Sequence, residues 1–237
     1  MQRITQMAFW AALVMAGLAR QLSIVEWYDA LAEIYDAGER RYRPYRRQVI
    51  ERLRLGSGQT VLDIACGTGQ NFDLILEQIG PDGHLIGLDD SAGMLRKAEE
   101  RIAWHGWGTE RVHLIQADAR ALSWTLLHGL LPSSCTQVDR VVCTLGLAVV
   151  PDWEEVFARM WDVLAPGGYC VLMDGYLPYP GQALRLRAVN SLSRMLTRAD
   201  VTRRFWEPLR ERCQDYREQR FPYRLGTQIV IASGAKP

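Results

Sequence analysis

Cysteine is scarce in this 237-residue chain: Cys66, Cys135, Cys143, Cys170 and Cys213, an odd number with no C-x-x-C pair. That argues against a disulfide framework and against a zinc site, and it fits a reducing compartment. No metal is expected. Lysine is nearly missing as well, with Lys97 and Lys236 beside many arginines; this reads as genome composition and carries no functional weight. Long apolar runs are also missing. The uncharged stretch Met7–Ala19 has 13 residues, whereas a membrane-spanning helix takes about 20. There is no low-complexity tract, internal repeat or Ser/Gly linker, which excludes repeat and collagen-like architectures and leaves an ordinary globular chain. The length suits one α/β domain with some elaboration.

Negative charge is absent where it would balance the ends. The net charge of +1 hides a segregation: residues 1–55 carry 9 Arg against 6 acids, 56–179 carry 7 Lys/Arg against 16 acids, and 180–237 carry 12 Lys/Arg against 5 acids. The basic tail is either a solvated helix face or a surface for an anionic partner. Met7–Ala19 has three readings: a helix docked on its own domain, an interfacial membrane helix, or a cleaved signal.

From residue 56 onward, short apolar runs alternate with helical spacing. Thr60–Ile64, Leu85–Leu88, Val112–Gln116, Val138–Thr144 and Tyr169–Met173 read as strands. Helices are expected over 70–78, from Ser91 as N-cap to about 102, over 121–130 and over 152–164. "GPDG" (80–83) and "APGG" (165–168) stop two of them. This alternation argues for a parallel sheet with helices on both faces. Residues 175–213 break the rhythm as one or two inserted helices. Strands near 215–221 and at 227–233 would close the chain as an antiparallel hairpin on the sheet edge.

The stretch "VLDIACGTGQN" (61–71) leads from a strand into a glycine turn. Gly67 and Gly69 allow backbone to approach a ligand where a Cβ would collide. The dinucleotide fingerprint would require a third glycine at the position of Phe72. Asp63 puts a carboxylate at a strand end, which repels a pyrophosphate and suits a cationic ligand. "GLDDS" (87–91) ends the second strand with an acid suited to ribose hydroxyls. "QADA" (116–119) ends the third, where Asp118 can accept an adenine amine. Any one such acid is equally a helix cap; three in series after successive strands favour a ligand.

Taken together, "VLDIACGTG", "GLDDSAGML", "QADA" and "LAPGGY" resemble a class I S-adenosylmethionine-dependent methyltransferase over about residues 40–175. The resemblance implies an α/β, Rossmann-like, seven-stranded, mostly parallel sheet with helices on both faces. It implies an N-terminal helical lid and a possible membrane-contact segment over 1–55, and a methyltransferase domain over 56–237 with 175–213 as a substrate-side helical insertion before the last two strands. The cofactor would be S-adenosylmethionine, leaving as S-adenosylhomocysteine. By position, Asp63 would orient its amino group, and Gly67 and Gly69 would pass beneath its methionine part. Asp89 would hold the ribose, Met94 would cover the adenine and Asp118 would read the adenine amine, with Asp90 and Ala119 as further cofactor contacts. Ala65 stands where the family usually has glycine, and Cys143 is expected on the cofactor side. Because this cofactor is made in the cytosol, a cleaved signal is discounted and a cytoplasmic location is expected, with peripheral contact at an anionic inner membrane face.

"EWYDALAEIYD" (26–36) and "YRPYRRQVIERLRLGSGQTVLD" (42–63) resemble the ubiquinone/menaquinone C-methyltransferases and bacterial phosphatidylethanolamine N-methyltransferases, in which the leading segment folds over the cofactor. Tyr35 would then lie near the methionine moiety. The expected acceptor is amphiphilic, a phospholipid amine or an isoprenoid quinol; the alternative is a soluble O- or N-acceptor. Competing classes are a non-catalytic cofactor-binding protein and a nicotinamide-dependent oxidoreductase. In-line displacement at a methyl group draws mostly on orientation. None of the four histidines falls where a general base is needed: His84 and His113 start strands, and His105 and His128 lie in or beside helix ends. The candidates at the correct end are Asp174, Tyr35 and Tyr176 for catalysis, with Tyr28 and Thr144 as substrate contacts. Asp174 either steers an amine, takes a proton, or merely caps the next element. "CTLGLAVVP" occupies the place of the Asn/Asp-Pro-Pro-aromatic loop of DNA amino-methyltransferases, so no DNA partner is expected, nor an RNA one.

Overall fold

The computed structural model describes residues 22–129, 131, 137–178 and 183–237, without the side chains of 183–186. Met7–Ala19 lies outside the described residues. The chain begins with α1 (Ile24–Glu39) and α2 (Arg43–Arg52), then alternates β1 (Thr60–Ile64), α3 (Phe72–Ile79), β2 (His84–Asp89), α4 (Ala92–His105), β3 (Val112–Gln116), α5 (Trp124–His128), β4 (Val138–Thr144), α6 (Trp153–Val163) and β5 (Leu164–Tyr176). The inserted α7 (Ala183–Thr197) and α8 (Glu207–Arg212) precede β6 (Gln214–Pro222) and β7 (Gln228–Ala235). The seven strands form one sheet in the order β3-β2-β1-β4-β5-β7-β6. The first five are parallel. β7 runs antiparallel between β5 and β6. The expected terminal hairpin is present, with the last strand wedged inside the sheet and β6 at its edge.

Period-two alternation sorts the strand residues onto two cores. Leu62, Ile64, Val141, Cys143, Leu172 and Val230 pack against α6 and α8 through Val156, Phe157, Met160 and Leu209. Val61, Val142, Val171 and Ile231 pack against α2, α3 and α4 through Val49, Ile50, Phe72, Ile75 and Ala98. Segment 1–55 therefore contains two different things. α2 is part of the sheet's own core, with Val49, Ile50 and Leu53 fully buried. α1 lies over the carboxyl ends of the strands.

α1 starts with a capping box, the Ser23 hydroxyl accepting from the Glu26 N–H and Glu26 accepting from the Ser23 N–H. Its outer acids form a seam on α4. Glu33 pairs with Arg96 (2.6 Å) and Lys97 (2.9 Å), and Asp36 pairs with Arg101 (2.5 Å). Asp29 accepts from the Ser91 hydroxyl (2.5 Å) and the Gly93 N–H (2.8 Å). Among the described residues, no helix is long and apolar enough to cross a membrane.

Candidate active site

The sheet order reverses between β1 and β4, which opens a crevice beyond the strand ends. A cavity of about 300 Å³ occupies it. Its floor is the turn after β1. Ala65 and Gly67 both line it, with φ of 52° and 57°. This left-handed backbone is free for glycine and costs an alanine about 1 kcal/mol. The turn points the Gly67 N–H at Asp89 Oδ2 (2.8 Å), while Oδ1 accepts from the Ser91 N–H (3.0 Å). Burial pushes the Asp89 carboxyl up to about 6, against the pull of those two N–H groups. Asp90, Met94, Ala119, Tyr28 and Tyr35 also line the cavity.

Asp118 lines it too, and is simultaneously a cap. It accepts from the Arg120 backbone (2.8 Å) and from the Arg120 guanidinium (2.6 Å to Nη2). These bonds hold its carboxyl below the usual range. The cap and ligand readings of these acids are therefore compatible: Asp89 and Asp118 each bind a following backbone N–H and still face the cavity.

Four expected site residues do not line either cavity. Asp63 is fully buried on the α2–α3 side of β1 and accepts from Asn71 Nδ2 (3.0 Å). Burial raises its carboxyl to about 7. Gly69 serves the turn itself: its φ is 74°, and a Cβ would meet the Phe72 ring at 2.6 Å. Cys143 faces the α6 core, since alternation turns it away from the side that Thr144 faces; burial holds its thiol well above the ordinary range. Tyr176 is still inside β5, paired with Gln228, and its ring packs edge-on against Trp206 at 4.6 Å. The strand runs three residues past its expected end, which carries that ring into the core.

A second cavity of about 230 Å³ adjoins the first, and Tyr28, Tyr35, Leu145 and Val149 line both. Trp27 and Leu31 from α1, Val189, Leu192 and Leu196 from α7, and Tyr223, Leu225 and Ile229 from the terminal hairpin make it largely apolar. Asp174 and Glu39 are its acids. Asp174 accepts from the backbone N–H groups of Ala148 and Gly175, both at 2.8 Å. Burial outweighs them and raises its carboxyl to about 7. The Tyr28 hydroxyl donates to the Thr197 carbonyl (2.9 Å), tying α1 to α7. Burial raises the phenols of Tyr28 and Tyr35 above their ordinary value.

Sequence reasoning missed the group between the cavities. Arg46, 5% exposed, donates to Asn71 Oδ1 (3.0 Å), to Thr144 and to Glu39 Oε2 (2.7 Å). Thr144 also accepts from Asn71 (3.1 Å), so it lines the first cavity as part of this network. The one local signal is the pair of opposite charges, Glu39 and Arg46, across the α1–α2 junction.

Residues 61–168 match the family model of a methyltransferase domain. The demethylmenaquinone methyltransferase of Listeria monocytogenes serotype 4a is 33% identical over 137 residues, 56% of this chain and 52% of that one. The enzyme of the same name from Geobacillus kaustophilus is 32% identical over 139 residues, 59% and 55%. The chain thus spans about half the length of the curated relatives it matches. Phosphoethanolamine N-methyltransferase 2 of Haemonchus contortus, solved with phosphomonomethylethanolamine and S-adenosylhomocysteine, shares the fold with a TM-score of 0.68 at 15% identity, over 92% of this chain and 61% of that one. Geranyl diphosphate C-methyltransferase of Streptomyces coelicolor shares it with a TM-score of 0.65 at 12% identity, over 82% and 76%. Over residues 61–168 the chain thus matches a methyltransferase domain, and in sequence it is similar to the demethylmenaquinone methyltransferases.

Proposed function

We propose that this chain transfers the methyl group of S-adenosylmethionine to an amphiphilic acceptor, a phospholipid amine or an isoprenoid quinol, by in-line displacement. The observation that carries the reading is the pair of cavities sharing the wall of Tyr28, Tyr35, Leu145 and Val149. The donor fits the first. Asp89 offers its carboxylate at the end of β2, Met94 and Ala119 offer apolar faces, and Gly67 leaves room where a side chain would project. When bound, S-adenosylmethionine supplies an electrophilic methyl on a sulfonium.

The acceptor takes the second cavity. Its apolar walls exclude water and align a nucleophile with the shared wall, and orientation of this kind is worth roughly 7–11 kcal/mol. Asp174, held near 7, is poised to take a proton from an acceptor hydroxyl or ammonium. Tyr28 and Tyr35 stay protonated and present neutral hydroxyls. The mouth of this cavity supports an amphiphile: Leu192 and Leu225 line it and remain exposed, as does Met195 one turn along α7 from Leu192. Arg224 stands beside them, which suits peripheral contact with an anionic membrane from the cytoplasmic side.

The test is turnover with labelled S-adenosylmethionine against phosphatidylethanolamine vesicles, a demethylated isoprenoid quinol, and water-soluble amines and phenols. Labelled amphiphile is the expected product. Label only on a soluble acceptor would replace the amphiphile, and donor bound without any turnover would favour a non-catalytic role.

A further inference from the structure

Laid with its ribose on Asp89, the donor has its adenine end over β2 and β3. In the order β3-β2-β1-β4, the opposite end lies over β4, about 10 Å from β2 at the usual strand spacing. The wall there is Thr144, Leu145, Gly146, Tyr35 and Arg46. Two arginines line the donor cavity among the described residues, Arg46 and Arg120. Arg120 is committed to Asp118 (2.6 Å) and Asp152 (2.9 Å). Arg46 is not fully committed. A guanidinium has five N–H donors. Nη1 serves Asn71 and Thr144, and Nη2 gives one bond to Glu39. Nε has no partner, and one N–H of Nη2 is left over. A buried cation with donors to spare, at the amino-acid end of the cavity, matches a carboxylate.

We infer that Arg46 recognises the carboxylate of the donor's methionine moiety, with Glu39 and Asn71 holding the guanidinium in place from the other side. The inference rests on the donor reading above. It makes Arg46 a ligand-binding residue rather than only a brace between α1, α2 and the end of β4.

Titration calorimetry on the full chain tests it with two probes. S-adenosylhomocysteine has the carboxylate; 5′-methylthioadenosine keeps the adenine, ribose and thioether but lacks the amino acid. Arg46→Gln should weaken S-adenosylhomocysteine about 10- to 100-fold, the worth of bonds to a charged group, and leave 5′-methylthioadenosine within about threefold, well under the factor for one such bond. Arg46→Lys should show the same selectivity at a smaller size, and it carries the comparison if the Gln variant does not fold. Equal losses for both probes, or no loss for S-adenosylhomocysteine, would overturn the inference by making Arg46 purely structural. Wild-type chain that binds both probes equally also overturns it, while leaving the donor reading intact. Wild-type chain that binds neither removes the donor reading and this inference together.

Discussion

The two cavities are built in opposite ways. The donor cavity is made by consecutive strand ends. Its key carboxylate, Asp89, is fixed by the backbone N–H groups of Gly67 and Ser91, so its geometry follows from the turn after β1 and the cap of α4. The acceptor cavity is made by α1, α7 and the β6–β7 hairpin, segments nearly 200 residues apart in the chain. Its walls draw most on side chains of α1 and α7, with Asp174 and Ile229 among its contacts with the sheet. The difference separates what is generic in the molecule from what selects its acceptor. Damage to the first should remove donor binding, whereas damage to the second should remove turnover or selectivity with the donor still bound.

The largest expected effect is on the acceptor side. Asp174→Asn should lower kcat by about 100- to 10,000-fold, the range for a lost general base, with S-adenosylhomocysteine affinity unchanged. Wild-type kcat should rise with pH through about 7 and the variant should lose that limb. Stability should move the other way. Asp63, Asp89 and Asp174 have folded pKa values raised by burial to about 7, 6 and 7, from 3.8. The unfolded chain gives up these protons first, so their contribution is complete below about pH 4 and is lost as pH rises to about 7. Thermal melts from pH 4 to 8 on wild type and Asp174→Asn should show a shallower decline in the variant. If Asp174→Asn also weakens the donor, the separation of the cavities fails.

Asp89→Ala comes next and should weaken S-adenosylhomocysteine about 10- to 100-fold by calorimetry, because the Gly67 and Ser91 N–H groups lose their acceptor together with the ligand. The mouth of the acceptor cavity should matter less. Leu192→Asp with Leu225→Asp should slow methylation of a vesicle-borne acceptor about tenfold, from lost apolar contact, and spare a soluble short-chain analogue. The smallest effect belongs to the turn: Ala65→Gly should raise stability by up to about 1 kcal/mol in denaturant melts by releasing a left-handed alanine.

The donor side was legible because its signals are local. Ser91 reads as an N-cap and accepts from the Met94 N–H at 3.1 Å; Gly80 reads as a stop and has φ of 67°. "TQIVIAS" (227–233) reads as a strand, and all of it but Thr227 falls in β7. Strand parity was harder to use at strand ends. Cys143 and Thr144 are neighbours, yet only Thr144 faces the cavity, and Tyr176 is drawn inward because β5 continues to pair with β7. Asp63 is beside the cavity in sequence but beneath it in space. Arg46 was hard to read because its partners, Glu39, Asn71 and Thr144, come from three separate parts of the chain, and only Glu39 is near it in sequence. The acceptor cavity's walls were equally hidden, since the pairing of α1 with α7 through Tyr28 and Thr197 spans 169 residues.

The most direct measurement is a crystal structure of the full chain with S-adenosylhomocysteine. Its ribose is expected on Asp89 and its sulfur at the wall formed by Tyr28, Tyr35, Leu145 and Val149, facing the second cavity. A sulfur buried away from that wall, or a nucleoside seated in the second cavity, would contradict the assignment of donor and acceptor sites.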